Sequence, residues 1–486
     1  MFTPYPYQSK AIADIQQDFR TGLKHLLVCS PTGSGKTVIF SLISKMVSER
    51  GKKVLILTDR AELLNQAGGS IKNVGLKAYF IADGIKNYNG NYSCYIAMSQ
   101  TFRRRITQPY WQEFLAGINL VVIDEAHKQE FNYLFESGLV TNKHVLGFTA
   151  TPKRTGGMRQ LALDYEKIIY TVPIKQLIHM EKLVAADEYQ FNPPDLSDVG
   201  IDYKAGDFKA GQLFQKYNTT KLYAGVVKNW LLHAPNTKTI VFCVNIEHTI
   251  KTAMEFAANG ISVKYVVSDV PKPKPPTDME PEPVPDGGSE TDTENISPAE
   301  KYRLKLEAYN LYKSTFTELS GDRETIFNGH KNGDFTVLVN AGIATTGYDD
   351  PTLETGILNR ATLSLQLYLQ MIGRLTRASD GKTHCNILDF GGNIQRFGGY
   401  AEDRHFSLWH EKIDGNGLPP IKTCGIDSNN RPIGGGGLQV YGCQRPILAS
   451  YPICPFCGFI YPKKMVEEVE LKLAANTKSI SAASAK

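Results

Sequence analysis

No apolar run in the 486 residues approaches the roughly 20 needed to cross a bilayer, so a helical membrane span is not expected. The opening Met1-Phe-Thr-Pro-Tyr-Pro-Tyr7 has no basic stretch followed by an apolar core, which argues against a secretory leader and for a cytosolic protein. Cysteine is scarce, at 8 residues. Cys29, Cys94, Cys243 and Cys385 lie in or beside apolar runs and read as small hydrophobes, whereas Cys424, Cys443, Cys454 and Cys457 gather near the end and suggest a metal, not a disulfide framework. A strong excess of one charge sign is lacking too: 54 Lys and Arg against 49 Asp and Glu leave a net +5. Residues 271–300, however, hold eight acids against Lys272 and Lys274, a local −6, so the rest of the chain sums to +11 and favours a polyanionic partner.

What is present is sharper. Ser30-Pro-Thr-Gly-Ser-Gly-Lys-Thr37 follows the apolar run His25–Cys29 and precedes Val38, Ile39, Leu42, Ile43, Met46 and Val47 at helical spacing. Strand, glycine-rich loop and helix form a phosphate cradle. The loop of Ser30, Pro31, Thr32, Gly33, Ser34 and Gly35 surrounds a triphosphate with its backbone N–H groups, which proline lacks, Lys36 reaches its terminal phosphates, and Thr37 takes Mg2+. Ser30 stands where such loops usually begin with Gly. A second run, Leu120–Ile123, ends in Asp124-Glu-Ala-His127. A carboxylate at the C-terminal end of a parallel strand faces the ligand crevice, so Asp124 can hold Mg2+ through water and Glu125 can activate a water nucleophile.

Length predicts two or three domains. Strands at Thr239–Cys243, Val263–Val267 and Phe335–Val339, with a helix at Glu247–Ala258, repeat the α/β pattern and predict a second parallel sheet. We expect α/β domains at 1–183 and 184–412 and a different segment at 413–486, with a glycine run at Gly434–Gly437 and a terminal helix at Met465–Ala475. Residues 271–298 are too poor in apolar groups to offset the entropy of ordering, and read as a disordered insertion. No repeat beyond the two α/β halves is visible.

The ordered motif set over residues 4–400 resembles the superfamily 2 helicases and translocases, within them the DEAH-bearing group of restriction motor subunits and phage branch-migration helicases. That resemblance implies two tandem RecA-like domains, ATP and Mg2+ as cofactors, and DNA as partner, single-stranded, duplex or branched. RNA stays open. Tyr5-Pro-Tyr-Gln8 looks like the adenine-reading element, with Gln8 in that role and Tyr5 where the family has Arg. Val54–Arg60 and Met98-Ser-Gln-Thr101 are similar to strand-gripping motifs, implying nucleic-acid contacts for Thr58, Arg60, Gln100 and Thr101. Gly147–Pro152 looks like the coupling motif, which implies that role for Thr149 and Thr151 beside His127 and Gln370. Ala344–Asp349 resembles the loop touching both nucleic acid (Thr346) and nucleotide (Asp349), and Gln370–Arg377 the arginine-finger helix. Arg377 is the expected finger and Arg374 its partner. Phe102-Arg-Arg-Arg105 is either a further basic contact or a solvated face.

Cys454-Pro-Phe-Cys-Gly458 has zinc-knuckle spacing. With Cys424 and Cys443 it would complete a four-cysteine zinc ribbon widened by the glycine-rich loop; the alternatives are an unmetallated pair or another ligand, His405 and His410 being available. The family likeness implies a phage-encoded or bacterial repair or recombination helicase. Its rivals are a duplex translocase of a restriction complex and an ATP-gated clamp that has lost turnover.

Overall fold

The computed structural model describes residues 3–59, 61–154, 159–202, 205–268, 320–342 and 348–408, with shorter stretches and single residues among 303–319 and 421–460. The expected insertion 271–298, the glycine run Gly434–Gly437 and the helix Met465–Ala475 lie outside them, as do Arg60, Thr346 and Cys457.

The central apolar runs become strands buried on both sides, the requirement of a parallel sheet covered by helices, while the edge strands are partly exposed. In the first lobe these are β1 (His25–Cys29), β2 (Val54–Thr58), β3 (Ala78–Ile81), β4 (Cys94–Met98), β5 (Leu120–Asp124), β6 (His144–Thr149) and β7 (Lys167–Tyr170). They form a 7-stranded sheet in the order β3-β4-β2-β5-β6-β1-β7, every pair parallel. Alternation sorts the side chains by face. Leu120 and Val122 enter one core with Leu26, Val28 and Phe40, while Val121 and Ile123 enter the other with Leu27, Phe102 and Trp111.

The second lobe repeats the design. Its strands β8 (Ala185–Gln190), β11 (Thr239–Cys243), β12 (Val263–Val266), β13 (Val337–Asn340), β14 (Thr355–Asn359) and β15 (His384–Asp389) make a 6-stranded parallel sheet, β12-β13-β11-β14-β15-β8. A short antiparallel pair, β9 (Ile201–Asp202) and β10 (Asp207–Phe208), lies between β8 and β11. Strand β13 starts two residues later than its apolar run, because Phe335 leaves the ladder to stack on His330, ring centroids 5.0 Å apart. A last antiparallel pair, β16 (Ile421–Thr423) and β17 (Pro446–Leu448), accompanies the cysteines.

The lobes meet along the chain and again beyond it. The chain passes into the second lobe at Leu183, which bridges to Arg377 there, and the Val184 amide donates to the Thr376 carbonyl at 2.8 Å within that lobe. Further on, the chain returns to the first lobe. The Phe406 amide donates to the Tyr170 hydroxyl at 2.8 Å, that hydroxyl donates to the Phe406 carbonyl at 2.9 Å, and the Ala162 amide donates to the Leu408 carbonyl at 3.0 Å.

Candidate active site

The loop after β1 turns through Gly33 (φ +85°) and Gly35 (φ +79°), left-handed positions that a Cβ would strain. Ser30 is fully buried, and its hydroxyl joins those of Ser34 at 2.6 Å and Thr171 at 2.8 Å. A hydroxyl that pins the loop to its own far side and to the segment after β7 accounts for serine in place of glycine. The helix Lys36–Ser48 then starts at the two residues that must face phosphate. From helix Pro6–Arg20, the Tyr7 hydroxyl and the Gln8 Nε2 both donate to the Ser34 carbonyl, at 2.8 and 3.2 Å. Gln8 Oε1 accepts the Tyr5 amide at 3.0 Å, so this side chain already ties the base-reading element to the phosphate loop.

Opposite the loop, Lys36 Nζ lies 3.3 Å from Glu125 Oε1. Glu125 sits in the left-handed region (φ +53°), and its amide donates to its neighbour Asp124 Oδ1 at 3.0 Å. Strain of this kind persists only where surroundings hold it, and is concentrated at functional sites. Burial would lower the Lys36 pKa, but the carboxylates of Glu125 and Asp124 outweigh it and raise the value. Burial and then the adjacent Glu125 charge push Asp124 up, while Lys36, with Lys128, overcomes burial and holds Glu125 down. Two half-buried carboxylates against one lysine form a donor set short of positive charge. A divalent cation held by Asp124 and the Thr37 hydroxyl fits that shortage.

His127 continues the site. Its Nδ1 lies 2.8 Å from Thr149 Oγ1 and 3.5 Å from Glu125 Oε2, and burial pushes its pKa down to about 4, so it is neutral. Thr149 accepts the Thr151 amide at 3.0 Å, which links His127 to the end of β6. Sequence reasoning missed what fixes this turn. Arg154 Nε donates to the His127 carbonyl at 2.9 Å, and its guanidinium pairs at 2.8 Å with Asp164, both side chains wholly buried. The only sequence signal was an arginine two residues beyond Pro152.

From the second lobe, helix Leu365–Leu375 lays Gly373 on the loop; a Cβ there would stand 2.8 Å from the Cβ of Thr32. Arg374 donates to the Tyr348 carbonyl and Arg377 pairs with Asp349. Tyr348 was not anticipated. Its hydroxyl lies 2.6 Å from His330 Nδ1 and donates to Asp350 Oδ2 at 3.0 Å, and Lys238 pairs with the same carboxylate at 2.8 Å. Gln370 is half-buried on the finger helix. Of the expected nucleic-acid residues, Gln100 is exposed, whereas Thr58 at the end of β2 and Thr101 in the helix Ser99–Arg105 after β4 are buried.

Residues 1–154 match the profile of the type III restriction enzyme res subunit, and residues 293–379 that of the helicase conserved C-terminal domain. The chain belongs to the superfamily 2 helicases. Its relatives include a Saccharomyces cerevisiae protein, by name an ATP-dependent helicase, IRC3, 30% identical over 79% of this chain. The helicase spans about half of that relative, 51%. A 51.5 kDa protein of a Lactococcus phage is 25% identical over 93% of this chain and 83% of its own length. Among solved structures, a fragment from Vibrio vulnificus YJ016, by name the HsdR subunit of a type I restriction enzyme, shares the fold at TM-score 0.54 and 20% identity, covering 86% of this chain and 68% of the fragment. The type ISP restriction-modification enzyme LlaBIII, bound to DNA in its structure, shares it at 0.53 and 16%, over 80% of the helicase and 28% of the enzyme.

The helicase's cysteine cluster is partly described. The Sγ atoms of Cys424, Cys443 and Cys454 lie within 4.8 Å of one another, with Cys443 and Cys454 at 3.8 Å. Thiolates around one tetrahedral zinc, each at about 2.3 Å, are separated by about 3.8 Å. Among the described residues no helix is long and apolar enough to cross a membrane.

Proposed function

We propose that this helicase is an ATP-driven motor on DNA, hydrolysing ATP between its lobes and using closure to unwind or remodel branched DNA in replication, recombination or repair. The observation that carries the reading is the seating of Gly373 on Thr32, which brings the helix of Arg374 and Arg377 against the loop that holds Lys36. Lys36 neutralises the terminal phosphates, freeing Glu125 from its present ion pair. Glu125, kept ionised, takes a proton from the attacking water, and His127 reports that change to Thr149 through the bond they share. Arg377, now on Asp349, is the charge delivered to the transferring phosphoryl. Mg2+, held by Thr37 and Asp124, would supply further neutralisation of the phosphates. The three described cysteines, with Cys457, are assigned one structural zinc.

A second reading has its own support in the fold shared with two restriction enzymes: translocation along duplex DNA without strand separation. ATP turnover measured with single-stranded DNA, duplex, four-way junction and RNA, beside strand-displacement and junction-migration assays, separates the two. Unwinding or branch migration supports the motor proposed. Stimulation by duplex alone with no displaced strand supports the translocase, and no turnover with any of them rejects both.

A further inference from the structure

Strand order fixes a direction across the first lobe. Moving outward from β1 along the C-terminal edge, the chain presents the phosphate loop, then Thr149 of β6, Asp124 of β5, Thr58 of β2 and the helix Ser99–Arg105 that follows β4. The nucleotide end and the expected nucleic-acid end are thus opposite ends of one edge. Gln100 and Thr101 open that last helix, and Arg103, Arg104 and Arg105 close it.

The three arginines are not equivalent. Arg105 is committed to the protein: its Nη2 donates to the Ala82 carbonyl at 2.7 Å and its guanidinium lies 5.1 Å from the Trp111 ring centroid. Arg103 and Arg104 are exposed, and neither has a carboxylate within ion-pair distance among the described residues. The Arg103 guanidinium rests 5.6 Å from the Tyr133 ring centroid, and Arg104 Nε donates back to the Gln100 carbonyl at 3.4 Å. The helix itself is pinned, because Ser99 Oγ donates to the Glu130 carbonyl at 3.0 Å. Glu130 and Tyr133 belong to the segment that runs on from Asp124–His127, so these two arginines are held in register with the catalytic carboxylates.

We propose that Arg103 and Arg104 extend the nucleic-acid track beyond Gln100 and Thr101, each holding one backbone phosphate of a single strand. The inference rests on the reading of this chain as a nucleic-acid motor. Guanidinium groups suit phosphate oxygens because their planar donors match them two at a time, and a phosphate contact serves a motor that must ignore base sequence. A solvated helix end, its cations merely complementing the terminal carbonyls, is the competing outcome.

The test is anisotropy titration of a labelled oligothymidylate against wild type, R103A/R104A and R103K/R104K from 0.05 to 0.5 M salt, with thermal melting of each. Two lost single-strand phosphate contacts make the slope of log affinity against log salt shallower by about 1.4, an affinity deficit that shrinks about 25-fold across that range. The lysine pair should restore the wild-type slope, since a phosphate accepts either cation. Wild-type binding with an unchanged slope in a folded alanine pair overturns the proposal, as does an alanine slope that lysine fails to restore. Absence of any wild-type binding at low salt rejects the nucleic-acid reading itself.

Discussion

Lys36 and Glu125 form one ion pair with two separable duties. Lys36→Ala should weaken nucleotide binding and abolish turnover, since no other described cation lies on the loop; Glu125→Gln should still bind ATP and lose about 10² to 10⁴ in turnover. Nucleotide affinity measured beside steady-state rates decides it, and full turnover in either variant removes the site assignment. Three buried histidines set a pH dependence. Burial holds His127 and His330 down to about 4 and His248 to about 3, against 6.5 in the unfolded chain. Between those values the unfolded state binds the protons, so their contribution is complete above 6.5 and is lost as the pH falls toward 4. Melting temperature should therefore drop from pH 7.5 to pH 5. His330→Asn should flatten that drop while lowering stability at pH 7.5 by on the order of 1–2 kcal/mol through its lost contacts with Tyr348. An unchanged pH slope in the variant would show that His330 titrates normally.

Among the elements, the finger helix makes the tightest demand on a single residue. Gly373→Ala places a methyl 2.8 Å from Thr32 Cβ, and the helix must withdraw. An arginine misplaced by about an ångström costs about 10²-fold in kcat, with ATP affinity retained through Lys36 and Thr37. If kcat instead stays within threefold, the contact between helix and loop is dispensable. The phosphate loop and the strands β1, β5 and β11 were legible because their signals are local: glycines where φ is positive, and apolar runs as long as one buried strand. The partnership of Arg154 with Asp164 was not, because nothing in either residue's surroundings says that a turn at His127 will lie between them. Tyr348 escaped for the same reason, its His330 partner arriving from a helix on the other side of β13 in the chain. Thr58 and Thr101 show another limit: their residue type suits phosphate, but the sequence did not say that both side chains would be buried while Gln100 is exposed.

At the scale of the molecule, the strand pair that accompanies the cysteines is hydrogen-bonded into neither parallel sheet, although β17 packs beside β8 at the edge of the second. Zinc should copurify at about one atom per chain and be lost from a Cys454→Ser, Cys457→Ser variant whose two lobes still melt cooperatively. Metal retained by that variant would put the site elsewhere. Closure is the other property of the whole. Arg377→Ala should keep ATP binding and lose about 10³ or more of DNA-stimulated turnover; normal hydrolysis without movement on DNA would mean that the second lobe does not complete the site. The return of the chain through Phe406 and Leu408 to Tyr170 and Ala162 bears on how such closure can occur. Two bodies joined at one point can swing and twist freely, but joined at two they share an axis through both attachments. The lobes are thus mounted like a door on a pair of pins, one where the chain crosses between them at Leu183 and one at Tyr170–Phe406. Under the proposed closure each ATP cycle would be a swing of fixed direction, so spin labels placed across the cleft should trace one arc, which Tyr170→Phe, by loosening the second pin, should broaden.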